Sequence, residues 1–528
     1  MTNAGVPAFV TLKKENDVLK RFALAALMAL GFAAAIAATS PHADAGLFGG
    51  KPAASPTPSA SPSPLPTASP EPPSVAIPRL QAKLKANPND QQALVELAGQ
   101  FLGINRPDLA VQVTQHLLQL GNKTAQVYYL DGYSQQQLGN IPAAVADLEQ
   151  ASNLDPTNLG VLGELSTLYL RTNRPTDAER IANRAVTFNP KEPQAYSALG
   201  AVYGAEQKWD QARAEFEKAY ALDPKDPQPL YEITQTWAQQ NNIPMALQAV
   251  DRAIAVSPKD VDLLTLKADL YARQHDDAHA SSAYDDAFVA ATTDDEKVAI
   301  LVRKAAYFSG EKKPDQATAV FQQLLAQFPK NAQAHVAYGD YFASQKNITS
   351  AQQQWQLALG LDPSNGPALL SLGQVALGQN KITDAIGYLK RLTAAAPDAQ
   401  GFALLGQAYF ASHDYTGQRD ACSKSFQIQR SPQTLGCIAG ADFELKNYKE
   451  ASQIFDVLDK AAPQFLTQQP EYLFMAGKAY QQTNQRDKAL HAYRRVLPLM
   501  KRGSPLYKQV VTAIAQLSKP VPAKKKKG

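Results

Sequence analysis

The sequence contains little of the chemistry on which most catalytic and metal sites depend. Among its 528 residues there are seven histidines, three tryptophans and two cysteines. Neither H-E-x-x-H, the histidine pair of zinc proteases, nor G-x-x-x-x-G-K-[ST], the loop that holds nucleotide phosphates, occurs. Apart from His275 and His279 the histidines are widely scattered, so no nucleophile can be paired with a base. We therefore expect neither an enzyme active site nor a cofactor.

The two neighbouring histidines allow one alternative. His275 and His279 are one helical turn apart, with Asp276 and Asp277 between them, and two histidines at this spacing can bind one metal ion. The same segment has the composition of a polar turn in which an aspartate caps the following helix. We favour the turn and predict no metal site.

Charge is nearly balanced along the chain. The 52 Lys and Arg residues exceed the 48 Asp and Glu residues by four. The tail after Ser518 carries +5, from Lys519 and Lys524–Lys527, and residues 1–45 carry +1, so the chain between them sums to −2. Composition therefore predicts no basic surface for nucleic acid. The segment 519–528 is interpreted as a Lys-rich disordered tail.

The amino terminus has the three parts of a secretory signal in the expected order. Four Lys and Arg residues lie between positions 13 and 21, an apolar run covers residues 22–38, and Ala43-Asp44-Ala45 provides a small-residue cleavage site. We predict a signal peptide over residues 1–45 and a periplasmic or secreted protein. Because the 17-residue apolar run is at the short limit for a membrane span, an uncleaved inner-membrane anchor is the alternative.

A segment rich in Pro, Ser and Ala follows over residues 46–78. Such a composition buries little apolar surface, so we predict a disordered linker. The folded part is then expected over residues 79–518.

A period of 34 residues dominates the rest of the chain. Prolines follow it at Pro156, Pro190, Pro224 and Pro258. Alanines follow the same period, interrupted by a three-residue insertion near 292–296, at these positions: Ala110, Ala144, Ala178, Ala212, Ala246, Ala280, Ala317, Ala351 and Ala385. Each unit contains two stretches with helical spacing of apolar residues, which predicts a pair of helices.

One complete unit, residues 193–226, carries the pattern Tyr196-x2-Leu199-Gly200-x2-Tyr203, Ala212-x3-Phe216-x2-Ala219, Pro224. This pattern resembles the tetratricopeptide repeat (TPR). The resemblance implies an all-α, right-handed superhelix of about twelve helix-turn-helix repeats and a capping helix over 504–518. The repeats are expected to begin near Gln91, Ala125, Leu159, Pro193, Pro227, Val261, Val298, Ala332, Gly366, Ala399, Pro432 and Pro470.

In that family the first helix of each repeat lines a concave groove. The resemblance places the following residues there: Tyr129, Tyr133, Arg171, Tyr231, Gln235, Asp262, Asp269, Arg273, Asp340, Gln374, Gln407, Phe410, Phe443, Glu444, Phe474 and Lys478. Aromatic side chains anchor peptides, and Gln can bind their backbone. Some members clamp a terminal carboxylate with Lys, Asn and Arg. The positions of that clamp here carry Val95, Gly99, Tyr129, Tyr133, Gly163 and Thr167, so the clamp is absent.

Cys422 and Cys437 fall on helices that should be neighbours in a stacked array. They can form a disulfide in an oxidising compartment, or pack as two buried thiols, and both interpretations stay open.

We therefore expect an exported scaffold that binds a protein or peptide in its groove, in cell-envelope assembly or secretion. The alternative is a membrane-tethered structural spacer that organises a complex through its convex face.

Overall fold

The computed structural model describes residues 71–519. These residues form 27 α-helices and one short 3-10 helix, and no strand occurs among them. The all-α prediction is confirmed for this part of the chain. The predicted signal or anchor segment, most of the predicted linker and all but the first residue of the Lys-rich tail lie outside the described residues.

The described residues divide into two compact units, 71–312 and 313–519, here called the amino-terminal and carboxy-terminal units. The helices of the amino-terminal unit are α1 (Pro73–Ala86), α2 (Gln91–Gly103), α3 (Pro107–Gln119), α4 (Ala125–Gln137), α5 (Ile141–Leu154), α6 (Leu159–Arg171), α7 (Pro175–Phe188), α8 (Pro193–Ala205), α9 (Trp209–Leu222), α10 (Gln228–Gln239), α11 (Ile243–Val256), α12 (Val261–Arg273), α13 (Asp277–Ala290) and α14 (Asp294–Gly310).

The helices of the carboxy-terminal unit are α15 (Pro314–Gln327), α16 (Ala332–Ser344), α17 (Ile348–Leu361), α18 (Gly366–Gly378), α19 (Ile382–Ala395), α20 (Ala399–Ala411), α21 (Tyr415–Ile428), α22 (Pro432–Glu444), α23 (Tyr448–Ala461), α24 (Pro463–Gln468), α25 (Pro470–Gln482), α26 (Arg486–Val496), the 3-10 helix Leu497–Leu499 and α27 (Pro505–Leu517). From α2 onward the helices alternate between the first and second helix of a repeat, with the short α24 as an addition. The count of about twelve helix-turn-helix repeats stays a prediction.

The helical part begins earlier than the composition predicts, since α1 overlaps the end of the predicted 46–78 linker. Ala76 and Leu80 on α1 are fully buried against α2. Pro73 occupies the first turn, where a proline removes no helical hydrogen bond. The Pro-rich composition hid this short apolar stripe.

The two helices of a repeat are joined by a turn that contains one left-handed residue. At Gln207 φ is 60°, and the next amide, of Lys208, donates to the Tyr203 carbonyl at 2.8 Å. This six-residue closure is the usual left-handed end of a helix. Equivalent residues are Asn105, Gly139, Asn173, Asn241, His275, Lys312, Lys346, Asn380, His413, Lys446 and Asn484. The turn is thus a fixed element of each repeat.

Side chains with oxygen acceptors define where many first helices begin. The Asn158 carboxamide, for example, accepts a hydrogen bond from the Val161 amide at the start of α6. Thr293 and Glu296 form a reciprocal capping box at the start of α14. This box starts α14 at Asp294, one turn before the predicted Val298, and accommodates the three-residue insertion.

Small residues allow the two helices of a repeat to approach closely. A Cβ atom added to Gly200 on α8 would lie 2.7 Å from the Phe216 ring on α9. At Gly339 on α16 the added atom would lie 2.6 Å from Trp355 on α17. Each glycine therefore leaves the space that a large side chain of the partner helix fills, with the periodic alanine buried beside it.

The two cysteines are joined in the structure. Cys422 on α21 and Cys437 on α22 form a disulfide, with their Cα atoms 6.1 Å apart. This separation is within the usual range for such bonds. The bond links the second helix of one repeat to the first helix of the next.

Two carboxyl groups face each other inside the α4–α5 pair. Asp131 is buried and accepts a hydrogen bond from the Thr114 hydroxyl. Burial, together with the charge and hydrogen bond of Asp131, raises the pKa of Asp147 to about 7. Burial also raises the pKa of Asp131, while the hydrogen bonds from Thr114 and Asp147 oppose that rise. Asp147 is thus protonated and donates to Asp131 at mildly acidic pH.

This pair makes stability depend on pH near neutrality. Because the Asp147 pKa is raised on folding, its stabilising contribution is present below the unfolded pKa and is lost as pH rises through about 7. Asp147→Asn keeps a donor towards Asp131, so we expect the variant to be more stable than the wild type at pH 8. The wild type should lose up to about 1.4 kcal/mol more per pH unit between pH 5 and pH 7, and the difference should level off above pH 7.

The measurement is urea unfolding between pH 5 and pH 8 for both proteins. Asp286→Asn, on an exposed position of α13, is the control and should keep the wild-type pH dependence. Parallel pH profiles for Asp147→Asn and the wild type would exclude this assignment.

Candidate partner-binding face

The first helices of successive repeats pack against one another within each unit. In the amino-terminal unit α2 contacts α4 and α6 contacts α8, and in the carboxy-terminal unit α20 contacts both α18 and α22. We call the surface that these first helices form in each unit its inner face. It carries the positions that the sequence assigned to the groove.

Aromatic side chains flank a region of small residues on the inner face of the amino-terminal unit. Tyr133 on α4 and Tyr231 on α10 are half-buried. Between these helices α6 and α8 carry Gly163 and Gly204, and a Cβ atom added to either glycine would meet nothing within 4 Å. The open space between the tyrosine-bearing helices can accommodate the side chains of a bound segment.

Tyr129 is one of the predicted groove residues, but only 3% of it is exposed. Its ring lies 6.2 Å from the Tyr133 ring. Its hydroxyl is buried and makes no hydrogen bond with the described residues, and the same holds for the Gln136 carboxamide oxygen. Buried polar atoms of this kind normally have a partner.

Glu164 on α6 lies beside these two groups. It accepts a hydrogen bond of 3.1 Å from the Gln136 amide nitrogen. Burial raises the pKa of Glu164, while the Gln136 hydrogen bond and the charge of the exposed Arg171 oppose that rise. Burial, and with it the Glu164 charge, raises the pKa of Tyr129. A half-buried carboxylate therefore contacts a carboxamide whose oxygen is unbonded, and its charge also acts on the buried phenol hydroxyl.

A second polar group of the same face lies on α10 and α12. Glu232 accepts from the Gln228 amide at 3.0 Å, and burial raises its pKa. Asp269 accepts a hydrogen bond from the Tyr284 hydroxyl at 2.6 Å and lies 3.7 Å from Arg303. Asp269 therefore holds a buried aromatic residue of its own repeat.

The remaining predicted residues of the amino-terminal unit are placed as follows. Gln235 interacts with Tyr231 on α10, and Arg273 donates to Asn241 at 3.0 Å. Asp262 is exposed at the start of α12. These residues lie along the first helices, and their role in partner binding stays a prediction.

The carboxy-terminal unit shows a mixture of roles. Asp340 accepts from the Trp355 ring nitrogen at 2.9 Å, so it repeats the structural role of Asp269. Phe410 packs near Tyr415, and Gln374 and Gln407 are half-buried on α18 and α20. Of the further positions, Phe474 is buried, while Phe443, Glu444 and Lys478 are half-buried.

The sequence analysis missed Gln136, Glu164 and Glu232. The two glutamates occupy the same position of their first helices, where neighbouring repeats carry Leu130, Ala198 and Leu266. For the two glutamates, a charged residue at a position that is apolar in both adjacent repeats is the signal that could have identified them.

The two units have opposite charges. Residues 71–312 hold 22 Lys and Arg against 31 Asp and Glu, a net charge of −9, whereas residues 313–519 hold 21 against 14, a net charge of +7. The near-neutral body seen in the sequence is therefore the sum of an acidic and a basic unit. An acidic unit attracts cationic partners.

The histidine pair lies at the α12–α13 turn. His275 is the left-handed turn residue and contacts Glu311 at 2.8 Å, while His279 contacts Asp276 at 2.7 Å and stacks on Tyr271. Within residues 71–519 no three His, Cys, Asp or Glu residues are grouped as metal ligands. No helix of that range has the length and apolar character needed to cross a bilayer.

Paired antiparallel helices that recur every 34 residues define an all-helical repeat scaffold. Family models agree with this class. Residues 136–202 and 205–295 match one tetratricopeptide repeat model, residues 470–498 match another, and residues 305–428 match the middle TPR-like domain of cilia and flagella-associated protein 70. The chain is a tetratricopeptide repeat protein, and it has the fold of a module for protein–protein interaction.

Individual relatives cover parts of the chain. Photosystem I assembly protein Ycf3 of Synechococcus sp. (strain CC9902) is 30% identical over 97 residues, which are 18% of this chain and 54% of the relative. The chain thus spans about half the length of this curated relative.

Similar solved structures include YrrB, a TPR protein with an unusual peptide-binding site, at 23% identity and a TM-score of 0.30 over 37% of this chain and 97% of that one. They also include MamA, at 18% identity and a TM-score of 0.28 over 32% and 92% of the two chains. PilF of Pseudomonas aeruginosa matches at 16% identity and a TM-score of 0.31 over 42% and 96%.

Proposed function

We propose that this protein is an exported, non-enzymatic scaffold that holds a protein or peptide against the inner face of its amino-terminal unit. The observation that carries the proposal is the open, small-residue region of α6 and α8 between the tyrosines of α4 and α10. Tyrosine supplies a large contact area with few rotatable bonds, which suits it to anchoring a partner.

Two further observations support the proposal. The relative in Synechococcus bears the name of an assembly protein, which supports a role in the assembly of a complex. The cell envelope as the setting is part of the proposal. The Cys422–Cys437 disulfide supports export, because such bonds persist in oxidising compartments. Cleavage after Ala45 would give a mature chain that begins at Gly46, which amino-terminal sequencing of the purified protein tests.

Site-specific crosslinking tests the face that is used. A photoreactive phenylalanine is placed at Tyr133 or Tyr231 on the inner face, and at Val289 on α13, which is 82% exposed. We expect both inner positions to capture one common partner in cells, because a bound segment must contact both helices. The Val289 position should not capture it.

Crosslinking at the same three positions also tests the alternative function, a structural spacer. Capture of the common partner from Val289, with none from Tyr133 and Tyr231, would contradict the proposal and favour a spacer that binds through its second helices. Circular dichroism of each purified variant controls for folding.

A further inference from the structure

We propose that Tyr129, Gln136 and Glu164 form a site for a cationic side chain, best a lysine, carried by the partner. The inference rests on the proposed function and names the chemistry by which the inner face recognises its partner. The juxtaposition that carries it is the Glu164 carboxylate of α6 beside Gln136 of α4, whose amide oxygen is buried and unbonded, together with the buried and unbonded Tyr129 hydroxyl of the same helix α4.

The first step is the unmet hydrogen bonding of the site. The Tyr129 hydroxyl and the Gln136 carboxamide oxygen are buried without partners among the described residues. Leaving such groups unbonded costs free energy that a ligand can recover. The Gln136 nitrogen donates one hydrogen bond to Glu164, and the atom of this carboxamide that is buried without a partner is its acceptor oxygen.

The second step is the charge of the ligand. Glu164 is a carboxylate in a half-buried position. The charged side chain that favours its ionised form is that of Arg171, an exposed residue seven positions further along α6. The surrounding unit has a net charge of −9. A cation beside Glu164 would be attracted by its carboxylate and would find unbonded acceptor oxygens nearby, whereas an anion would be repelled.

The third step is the shape of the ligand. A lysine ammonium carries three donors on a flexible stem, which suits it to a carboxylate with further acceptor oxygens nearby. The neighbouring Tyr133 ring, 6.2 Å from that of Tyr129, offers an aromatic surface for the cation or its stem. A Cβ atom added to Gly163, next to Glu164, would meet nothing within 4 Å, which leaves room for a side chain to approach on that side.

The tyrosine-bearing helices α4 and α10 contain no Lys or Arg that would compete with a cationic partner for this face.

The probe for the test is a fluorescein-labelled, seven-residue peptide of alternating serine or alanine and three lysines, measured by fluorescence anisotropy with the full chain at low ionic strength. A peptide with norleucine in place of lysine is the uncharged comparison. We expect only the lysine peptide to bind, and we expect Glu164→Gln to weaken it about tenfold, the effect of losing one charge-assisted hydrogen bond. An arginine peptide reports how strictly the site selects an ammonium.

Two matched variants separate this site from a general effect of charge. Glu192→Gln removes the same charge from an exposed position beside α8 and should leave the affinity unchanged within about twofold. Gly163→Leu changes no charge but closes the path to Glu164, and it should weaken the lysine peptide by a similar factor to Glu164→Gln. Circular dichroism checks that each variant keeps its helical content.

The outcomes are decisive in both directions. Equal weakening by Glu164→Gln and Glu192→Gln, equal binding of the norleucine peptide, or no binding of the lysine peptide would each overturn the inference. Partner capture from Tyr231 that is undiminished in a Glu164→Gln background would also overturn it while leaving the proposed function intact. Loss of capture at Tyr231 in the otherwise unchanged protein would instead count against the function itself.

Discussion

Replacement of Trp355 by alanine is expected to lower the free energy of unfolding around α16 and α17 by about 3–5 kcal/mol. Trp355 is fully buried, its ring fills the space beside Gly339, and its ring nitrogen donates to Asp340 at 2.9 Å. Truncation to alanine removes these contacts and leaves a cavity. The cavity stays open because α16 and α17 are already in close contact at Gly339 and cannot move closer to fill it.

Hydrogen exchange of the segment 332–361, with circular dichroism during urea unfolding, measures the effect locally. A local readout is needed because repeat arrays do not unfold as a single all-or-none unit. Leu357→Ala, on the same helix at a side chain that is 51% exposed, is the matched control and should cost much less. Equal losses of protection in the two variants would show that Trp355 has no special role.

Reduction of the Cys422–Cys437 disulfide is expected to destabilise the α20–α22 region by about 3 kcal/mol. The bond closes a loop of 15 residues, so breaking it restores freedom to the unfolded chain. Cys422 is buried, and a Cβ atom at Gly406 on α20 would collide with its sulfur, so the bridge is also packed into the core.

Thermal unfolding with and without a phosphine reductant measures this contribution, with hydrogen exchange of residues 399–444 to locate it. The double variant Cys422→Ala, Cys437→Ala is the control, because its transition should not respond to reductant. A wild-type transition that reductant leaves in place would exclude a stabilising bridge.

The fold was predictable because the 34-residue period is carried by positions at which only a small residue fits. Ala212 and Gly200 have to be small for two helices to approach, and Phe216 has to be large to fill the space that they leave. These constraints recur in each repeat and therefore appear as periodicity. The start of helix α1 was missed because Pro73 and Pro78 made the segment look like part of the Pro-rich linker, although it buries Ala76 and Leu80.

The candidate site was predictable only in outline. The first-helix register predicts Tyr133 and Tyr231 on the inner face, but it cannot show that the Asp269 carboxylate accepts a hydrogen bond from Tyr284. Glu164 was missed because its importance depends on burial and on the neighbouring α4, neither of which sequence spacing reports. The state of Cys422 and Cys437 depends on the orientation of two helices, so spacing alone left it open.

The glycine-to-large-residue contacts have a consequence for how such a chain grows. Several of these contacts join the two helices of one repeat, among them Gly132–Leu148, Gly200–Phe216, Gly339–Trp355 and Gly373–Leu389. A duplicated repeat therefore contains both the glycine and the large side chain that packs against it. Lineages can lengthen the array by copying, while a change at either member of a pair requires a compensating change at the other.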